Sequence, residues 1–381
     1  ALLLIRTVGD RGNDMKLLRH GVALTALLII GCGDGGDGGA GPDATSDMAP
    51  DTVPCPLADA VSPHGLLQIP GPGEDGLLNL ADPCVVEVDG TWYLYATDFG
   101  VGYNVRTSTD LVTWEDRGPA WQPTPGTWNA RGQAWAPHVH RAGDGFYLYY
   151  TADKQIGVAR ADTPEGPFAE LLDHPLVGGG HGGIGDGVFD YRDSSTPDFD
   201  FDEFSIDAFV LAASDGSLTL YATRYTPLSQ IIAMPMADLQ TVIPEEMVVV
   251  VEPDMSGWEM FVTEGPWVNE VNGRFLLTYS GNGADRIDYA LGAAVADTPL
   301  GPFEKTAQSP FLAAAPDLGI YGPGHHCIAP GPCGDLLIIY HTKVSPEQGW
   351  ERRLRAAPVS FDGTDVILPP LPDPPGSPPG S

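Results

Sequence analysis

Short apolar runs, each broken by a glycine-containing turn, recur through the middle of the chain. Thr263-Glu264-Gly265-Pro266-Trp267 opens a run that turns at Asn272-Gly273 into Phe275-Leu276-Leu277-Thr278-Tyr279. The same layout stands at four other places. Asp82-Pro83-Cys84-Val85-Val86 turns at Asp89-Gly90, and Trp135-Ala136-Pro137-His138-Val139 turns at Gly143-Asp144-Gly145. Asp207-Ala208-Phe209-Val210-Leu211 turns at Asp215-Gly216, and His325-His326-Cys327-Ile328-Ala329 turns at Cys333-Gly334-Asp335. β-Branched and aromatic runs joined through Asn-Gly or Asp-Gly are strong hairpin signals. The repeats start at 82, 135, 207, 264 and 325, so their spacings are 53, 72, 57 and 61 residues. Units of that size, each a small antiparallel sheet, predict an all-β fold, a five-bladed β-propeller.

Two near-copies support the repeat independently: Ala161-Asp162-Thr163-Pro164-Glu165-Gly166-Pro167-Phe168 and Ala296-Asp297-Thr298-Pro299-Leu300-Gly301-Pro302-Phe303. Trp114, after a Thr109-Asp110-Leu111 turn, is expected to pack between blades. Residues 178–204, rich in Gly and Asp, interrupt the second and third repeats as a long polar loop, with calcium binding through its oxygens as the alternative to simple solvation.

The ends carry no such pattern. Met15-Lys16-Leu17-Leu18-Arg19-His20 is a basic stretch followed by the short apolar run Val22 to Ile30, which reads as an export signal. It ends Ile29-Ile30-Gly31-Cys32, as a bacterial lipoprotein signal does, with Cys32 as the lipidated residue and any membrane association through that anchor alone. Residues 1–14 then read as translation upstream of the true start. The expected organisation is 1–31 upstream residues and signal, 32–65 a Gly/Asp/Pro tether, 66–368 the propeller, and 369–381 a Pro-rich tail. The expected destination is outside the cytoplasm, anchored at the cell surface or in the periplasm, or secreted. With Cys32 set apart, four cysteines remain: Cys327 and Cys333 flank one turn and suit a local disulfide, leaving Cys55 for Cys84, one of three possible connectivities. No C-x-x-C pair suggests a zinc site.

Charge narrows the partners. The chain has 19 Lys and Arg against 51 Asp and Glu, a net charge of -32. Such a surface repels phosphate backbones and anionic lipid, which argues against nucleic acid and suits a neutral substrate such as a polysaccharide.

In a propeller the first strand of every blade lines the axis, so the residues opening the five repeats meet at one mouth. They are Asp82, Trp135, Asp207, Glu264 and His325. Three carboxylates at one mouth either bind a cation or perform acid–base chemistry. Glycoside hydrolysis needs a protonated acid at the leaving oxygen and an ionised partner opposite, and a third carboxylate raises the acid's pKa by repulsion. Separate blades leave room for a water between acid and base, which favours inversion. Trp135 reads equally as interblade core or as a platform for a sugar ring.

These residues together resemble the family 43 glycoside hydrolases, five-bladed propellers acting on arabinose- and xylose-containing glycans. The resemblance spans about residues 66–368 and rests on Ala81-Asp82-Pro83, Trp135-Ala136-Pro137, Ser205-Ile206-Asp207, Glu264-Gly265-Pro266, the two Thr-Pro-x-Gly-Pro-Phe segments and Gly322-Pro323-Gly324-His325-His326. It implies Asp82 as general base, Glu264 as general acid and Asp207 as the group that tunes and orients the acid. It implies His325 near the axis, where some members hold calcium or another ion through water, and no cofactor required for the reaction. It also implies a substrate-contacting arginine, matched better by Arg352 than by Arg355. The implied substrates are arabinan, arabinoxylan or xylo-oligosaccharides, cleaved as an α-L-arabinofuranosidase, a β-xylosidase or an endo-arabinanase. Two departures stand out: His138 follows Trp-Ala-Pro where the family commonly has an acid, and the 178–204 insertion is long. The segment Leu80-Ala81-Asp82-Pro83-Cys84 lacks the asparagines of fructan-active relatives, which argues against fructose chemistry. The competing reading is a sugar-binding propeller without catalysis.

Overall fold

A computed structural model describes residues 63–98, 100–130, 134–178, 204–225, 228–332 and 334–371. The leader, Cys32, the tether, nearly all of the 178–204 insertion and the tail beyond residue 371 lie outside them.

The chain enters through β1 (Gly65–Leu66) and then builds blade after blade. Blade I is β2 (Ala81–Val88), β3 (Thr91–Thr97), β4 (Tyr103–Ser108) and β5 (Glu115–Trp121). Blade II is β6 (Ala134–Ala142), β7 (Gly145–Ala152), β8 (Gln155–Ala161) and β9 (Ala169–Glu170). Blade III is β10 (Phe204–Ala212), β11 (Leu218–Tyr225) and β12 (Ser229–Asp238), with β13 (Thr241–Val242) and β14 (Val248–Val251) both against β12. Blade IV is β15 (Thr263–Val271), β16 (Arg274–Gly281), β17 (Ala290–Ala296) and β18 (Glu304–Lys305). Blade V is β19 (Tyr321–Pro330), β20 (Leu336–Lys343) and β21 (Arg352–Asp362), to which β22 (Asp365–Ile367) is added. β1 pairs antiparallel with β21, Gly65 opposite Ala356, so a strand from before blade I completes blade V and closes the ring.

The turn chemistry works as the sequence implies. Asp89 and Gly90 adopt φ of 52° and 79°, and Asn272 and Gly273 adopt 52° and 76°, the left-handed pair that matches strand twist. Packing then follows the five-fold plan, with one apolar cluster in each interblade seam. Trp114, for instance, lies with Leu111, Trp92 and Val85 of blade I against Cys327, Leu337 and Leu354 of blade V. The two copied segments also act alike: Tyr95 donates to the Pro164 carbonyl of the next blade, and Tyr221 donates to that of Pro299 at 2.5 Å.

The innermost strand of every blade carries a bulge at one equivalent place. Register shifts fall at Ala81/Cys84, Trp135/His138, Ile206/Phe209, Glu264/Trp267 and Gly324/Cys327. The first bulged residue is left-handed each time: Asp82, Ala136, Asp207, Gly265 and His325, with φ between 43° and 58°. Four of them are not glycine, a conformation that costs free energy and persists only where surroundings impose it. The imposing contact is a ring of hydrogen bonds. The Ala136 N–H donates to Thr97 Oγ1 (2.9 Å), Asp207 N–H to Thr151 Oγ1 (3.2 Å), and Gly265 N–H to Thr223 Oγ1 (3.2 Å). His325 N–H donates to Ser280 Oγ (2.8 Å), and Asp82 N–H to His341 Nδ1 (3.3 Å), which closes the circle. Each acceptor sits on the second strand of the preceding blade, opposite its own bulge.

This frame corrects the alignment of repeat openers. Asp82, Asp207 and His325 are equivalent, but Trp135 and Glu264 stand one residue before their bulges, where Ala136 and Gly265 take the strained position. The expected disulfides are corrected as well. Cys84 and Cys327 are free, buried thiols. Cys327 packs inside the blade I–V seam, and Cys84 Sγ accepts the Val139 N–H at 3.2 Å, so both point into interblade cores; Cys55 and Cys333 lie outside the described residues.

Candidate active site

Bulges at the axis aim side chains into one mouth, where a pocket of about 610 Å³ is lined by Asp82, Asp207, Glu264, Trp135, His325 and Arg352. The six residues that the sequence offered as catalytic or substrate-binding are therefore brought together. Trp135 is half-buried, with its carbonyl accepting Tyr103 Oη–H at 2.7 Å. Of the three arginines at the start of β21, only Arg352 faces the carboxylates. Arg353 bonds Asp75 at 2.7 and 2.8 Å, and Arg355 bonds Thr342 and the His64 and Gly319 carbonyls.

The three carboxylates occupy opposed environments. Asp82 Oδ1 lies 3.3 Å from His341 Nδ1, 3.4 Å from His325 Nδ1 and 3.6 Å from Arg352 Nη1. Burial alone would raise its pKa, but His325 and then Arg352 outweigh it and hold the carboxyl well below the usual range. Since His341 Nδ1 accepts the Asp82 N–H, its ring is the neutral Nε2–H tautomer, consistent with a pKa pushed to about 3 by burial and then by Arg352.

Glu264 meets the reverse conditions. Its Oε1 accepts Tyr289 Oη–H at 2.7 Å and its Oε2 accepts Tyr225 Oη–H at 2.8 Å. Burial, followed by the charge of Asp207, lifts its pKa to about 7 against those two donors. Asp207 Oδ2 accepts Thr223 Oγ1–H (3.1 Å) and the Gly265 N–H (3.2 Å). Burial and then the Asp82 charge raise it likewise to about 7. The peptide of Gly265 thus ties Asp207 to the residue next to it, Glu264.

Two glycines make this packing possible. A Cβ on Gly265 would stand 3.2 Å from the His325 ring, at a φ of 58°. A Cβ on Gly324 would stand 2.0 Å from Tyr289 Cε1, so only glycine admits the ring that bonds Glu264. Gly inside a strand pattern signals a close approach of this kind. Nothing in the local sequence marks Tyr289 as its beneficiary, and it was missed, as were Tyr225, His341 and the wall formed by Phe204, Lys154 and Trp350. Phe204 stacks on Tyr225 at 4.2 Å, with Lys154 Nζ 4.9 Å above its ring. Lys343 is fully buried beneath the mouth, its Nζ 5.2 Å from the Tyr289 ring centroid, and burial followed by Arg352 pushes its pKa down to about 7.

His138, the departure after Trp-Ala-Pro, is buried against Phe209 (4.7 Å) and Trp267 (5.6 Å), and burial lowers its pKa to about 3. It is a neutral wall of the axis beneath the mouth, where it borders a cavity of about 20 Å³ shared with His326 and Asp207. Among the described residues no group of three or more His, Cys, Asp or Glu side chains is arranged to hold a metal ion.

One carboxylate held ionised and another with its pKa raised to about 7, buried at one pocket, suit acid–base hydrolysis of a glycosidic bond. The protein is a glycoside hydrolase. The chain belongs to glycosyl hydrolases family 43, whose sequence profile matches residues 78–365. It is similar to a β-D-galactofuranosidase of Aspergillus niger, 24% identical over 318 residues, covering 76% of this chain and 82% of that protein. It is also similar to an arabinoxylan arabinofuranohydrolase of Paenibacillus polymyxa, 28% identical over 303 residues, 69% of this chain and 45% of that one. Among solved structures, an endo-1,4-β-xylanase from Bacteroides thetaiotaomicron superposes with a TM-score of 0.66 at 28% identity, covering 77% of this chain and 95% of the other.

Proposed function

We propose that the protein is an inverting glycosidase acting on arabinose- or xylose-containing plant-type glycans, with α-L-arabinofuranosyl bonds as the leading substrate. Asp82 is the general base, Glu264 the general acid, and Asp207 the group that keeps Glu264 protonated. The observation that carries this reading is the contrast between the surroundings of Asp82 and those of Glu264. A carboxyl facing the His325 imidazole and the Arg352 guanidinium stays anionic and can take a proton from water. A buried carboxyl beside a second carboxyl keeps its proton to about pH 7 and can give it to the leaving oxygen.

In the reaction, water poised by Asp82 attacks the anomeric carbon as Glu264 protonates the departing oxygen. The glycosidic C–O bond breaks, a C–O bond to water forms on the opposite face, and Asp82 ends protonated while Glu264 ends ionised. Tyr225 and Tyr289 hold both Glu264 oxygens in place throughout and stabilise the carboxylate as it forms. Arg352 and His325 hold Asp82 and are positioned to meet sugar hydroxyls. The furanosidase preference is supported by the named activities of the two relatives, both of which act on furanosides by name.

The test is hydrolysis of nitrophenyl arabinofuranoside and xyloside by wild type, Asp82→Asn and Glu264→Gln. Each variant is expected to lose roughly 10²–10⁴-fold in turnover while its fold stays intact, the usual loss when a general acid or base is removed. Near-wild-type turnover by either would remove the assignment.

A further inference from the structure

The acid–base machinery gives no task to Trp350, a large side chain at the mouth. Trp350, in the connection between β20 and β21, lines the pocket yet is 58% exposed, while Asp82, Asp207 and Glu264 at its base are 5–8% exposed. A single exposed aromatic is unremarkable on an ordinary surface. This one is held in place. The Asn79 side-chain amide donates to the Trp350 carbonyl (3.2 Å) and accepts the Arg352 N–H (2.8 Å), bracketing the residue between them as a neighbouring strand would. The Leu80 N–H donates to the Arg352 carbonyl at 3.2 Å, and the Val344 N–H to that of Glu351 at 3.1 Å.

The indole is also held from the side. The Arg352 guanidinium carbon lies 5.5 Å from the ring centroid, while Arg352 Nη1 reaches Asp82. The guanidinium therefore spans from the catalytic floor to the indole, fixing the ring relative to the carboxylates. A fixed aromatic surface left open to water offers carbohydrate C–H groups a face of complementary charge at little entropic cost.

Depth decides which part of the substrate meets it. The bond to be cleaved must reach the buried carboxylates, so the sugar being released fills the floor. A residue as exposed as Trp350 meets the part that projects from the pocket, the chain to which that sugar was attached. We infer that Trp350 is the stacking platform for a pentose ring of the leaving-group chain, and so a determinant of glycan selectivity; this rests on the substrate reading above.

The experiment compares Trp350→Ala and Trp350→Phe with wild type on an arabinoxylo-oligosaccharide and on methyl α-L-arabinofuranoside, whose leaving group is too small to reach the rim. Expected is a rise of about tenfold in KM for the oligosaccharide in Trp350→Ala, equivalent to about 1.4 kcal/mol of binding. The expected kcat is within twofold of wild type, the methyl glycoside is unaffected, and Trp350→Phe recovers most of the loss. An unchanged oligosaccharide KM in an active protein would overturn this inference alone. So would an equal loss on both substrates, which would mean that Trp350 only supports Arg352. A wild type inactive on both would overturn the substrate reading and this inference with it.

Discussion

Replacing Asp207 with asparagine removes a charge from beside Glu264 while keeping an oxygen to accept the Gly265 N–H and the Thr223 hydroxyl. Glu264 is raised from 4.5 to about 7, by burial first and by Asp207 second. The charge is the second contributor to that rise, and an effect on the order of one pH unit, or about 1.4 kcal/mol, is expected from it. Asp207 itself is raised to about 7, so its charge is present mainly on the alkaline side, where it defends the proton on Glu264. In Asp207→Asn the alkaline limb of kcat should move down by about one pH unit, and turnover near pH 8 should fall roughly tenfold, with little change near pH 5. The assay is a pH–rate profile with two arabinofuranosides, one carrying a poor leaving group and one carrying dinitrophenolate. The dinitrophenyl substrate needs no proton from Glu264 and should recover part of the alkaline loss. An unshifted limb with normal turnover would refute the coupling, and a loss equal at every pH and with both leaving groups would instead make Asp207 a substrate-binding residue.

Other consequences follow from the same contacts. Tyr289→Phe removes a donor that favours ionised Glu264, so the alkaline limb should move up, opposite to Asp207→Asn; Gly324→Ala, whose Cβ would collide with the Tyr289 ring, should do the same and also lower the melting temperature. Glu264 should also burden the fold at high pH: the unfolded chain releases this proton near pH 4.5 and the folded protein near 7, so its contribution is fully present below 4.5 and lost as pH rises through 7. Glu264→Gln should therefore gain on the order of 3 kcal/mol over wild type between pH 4 and pH 8 by chemical denaturation, and a gain that does not grow with pH would contradict the raised pKa.

The sequence made the blades legible because each hairpin is local: Asp89-Gly90 and Asn272-Gly273 specify their turns within two residues, and the flanking runs have the period of strands. Asp82, Asp207 and Glu264 were legible for a related reason, since a polar residue opening an otherwise apolar inner strand has to face the axis. What escaped was set by contacts across blades. The one-residue offset of Trp135 and Glu264 depends on which backbone N–H the preceding blade's Thr, Ser or His captures, and that pairing joins positions 39 to 259 residues apart. Tyr289 reaches Glu264 only because Gly324, in another blade, leaves room. The cysteine pairing failed because strand alternation turns Cys84 and Cys327 into interblade cores, a constraint stronger than nearness along the chain. Trp350 sits in a connection without periodicity, and its importance follows from Asn79 and Arg352 fixing it over the mouth.

The central claim, that Asp82 acts as a base on water while Glu264 acts as an acid across the sugar, is tested most directly by the anomer first released. Proton NMR of an arabinofuranoside digest, recorded before mutarotation equilibrates the product, should show β-L-arabinose forming from the α-linked substrate. Initial release of the α anomer would contradict the account, because retention requires a carboxylate to bond the sugar instead of activating water.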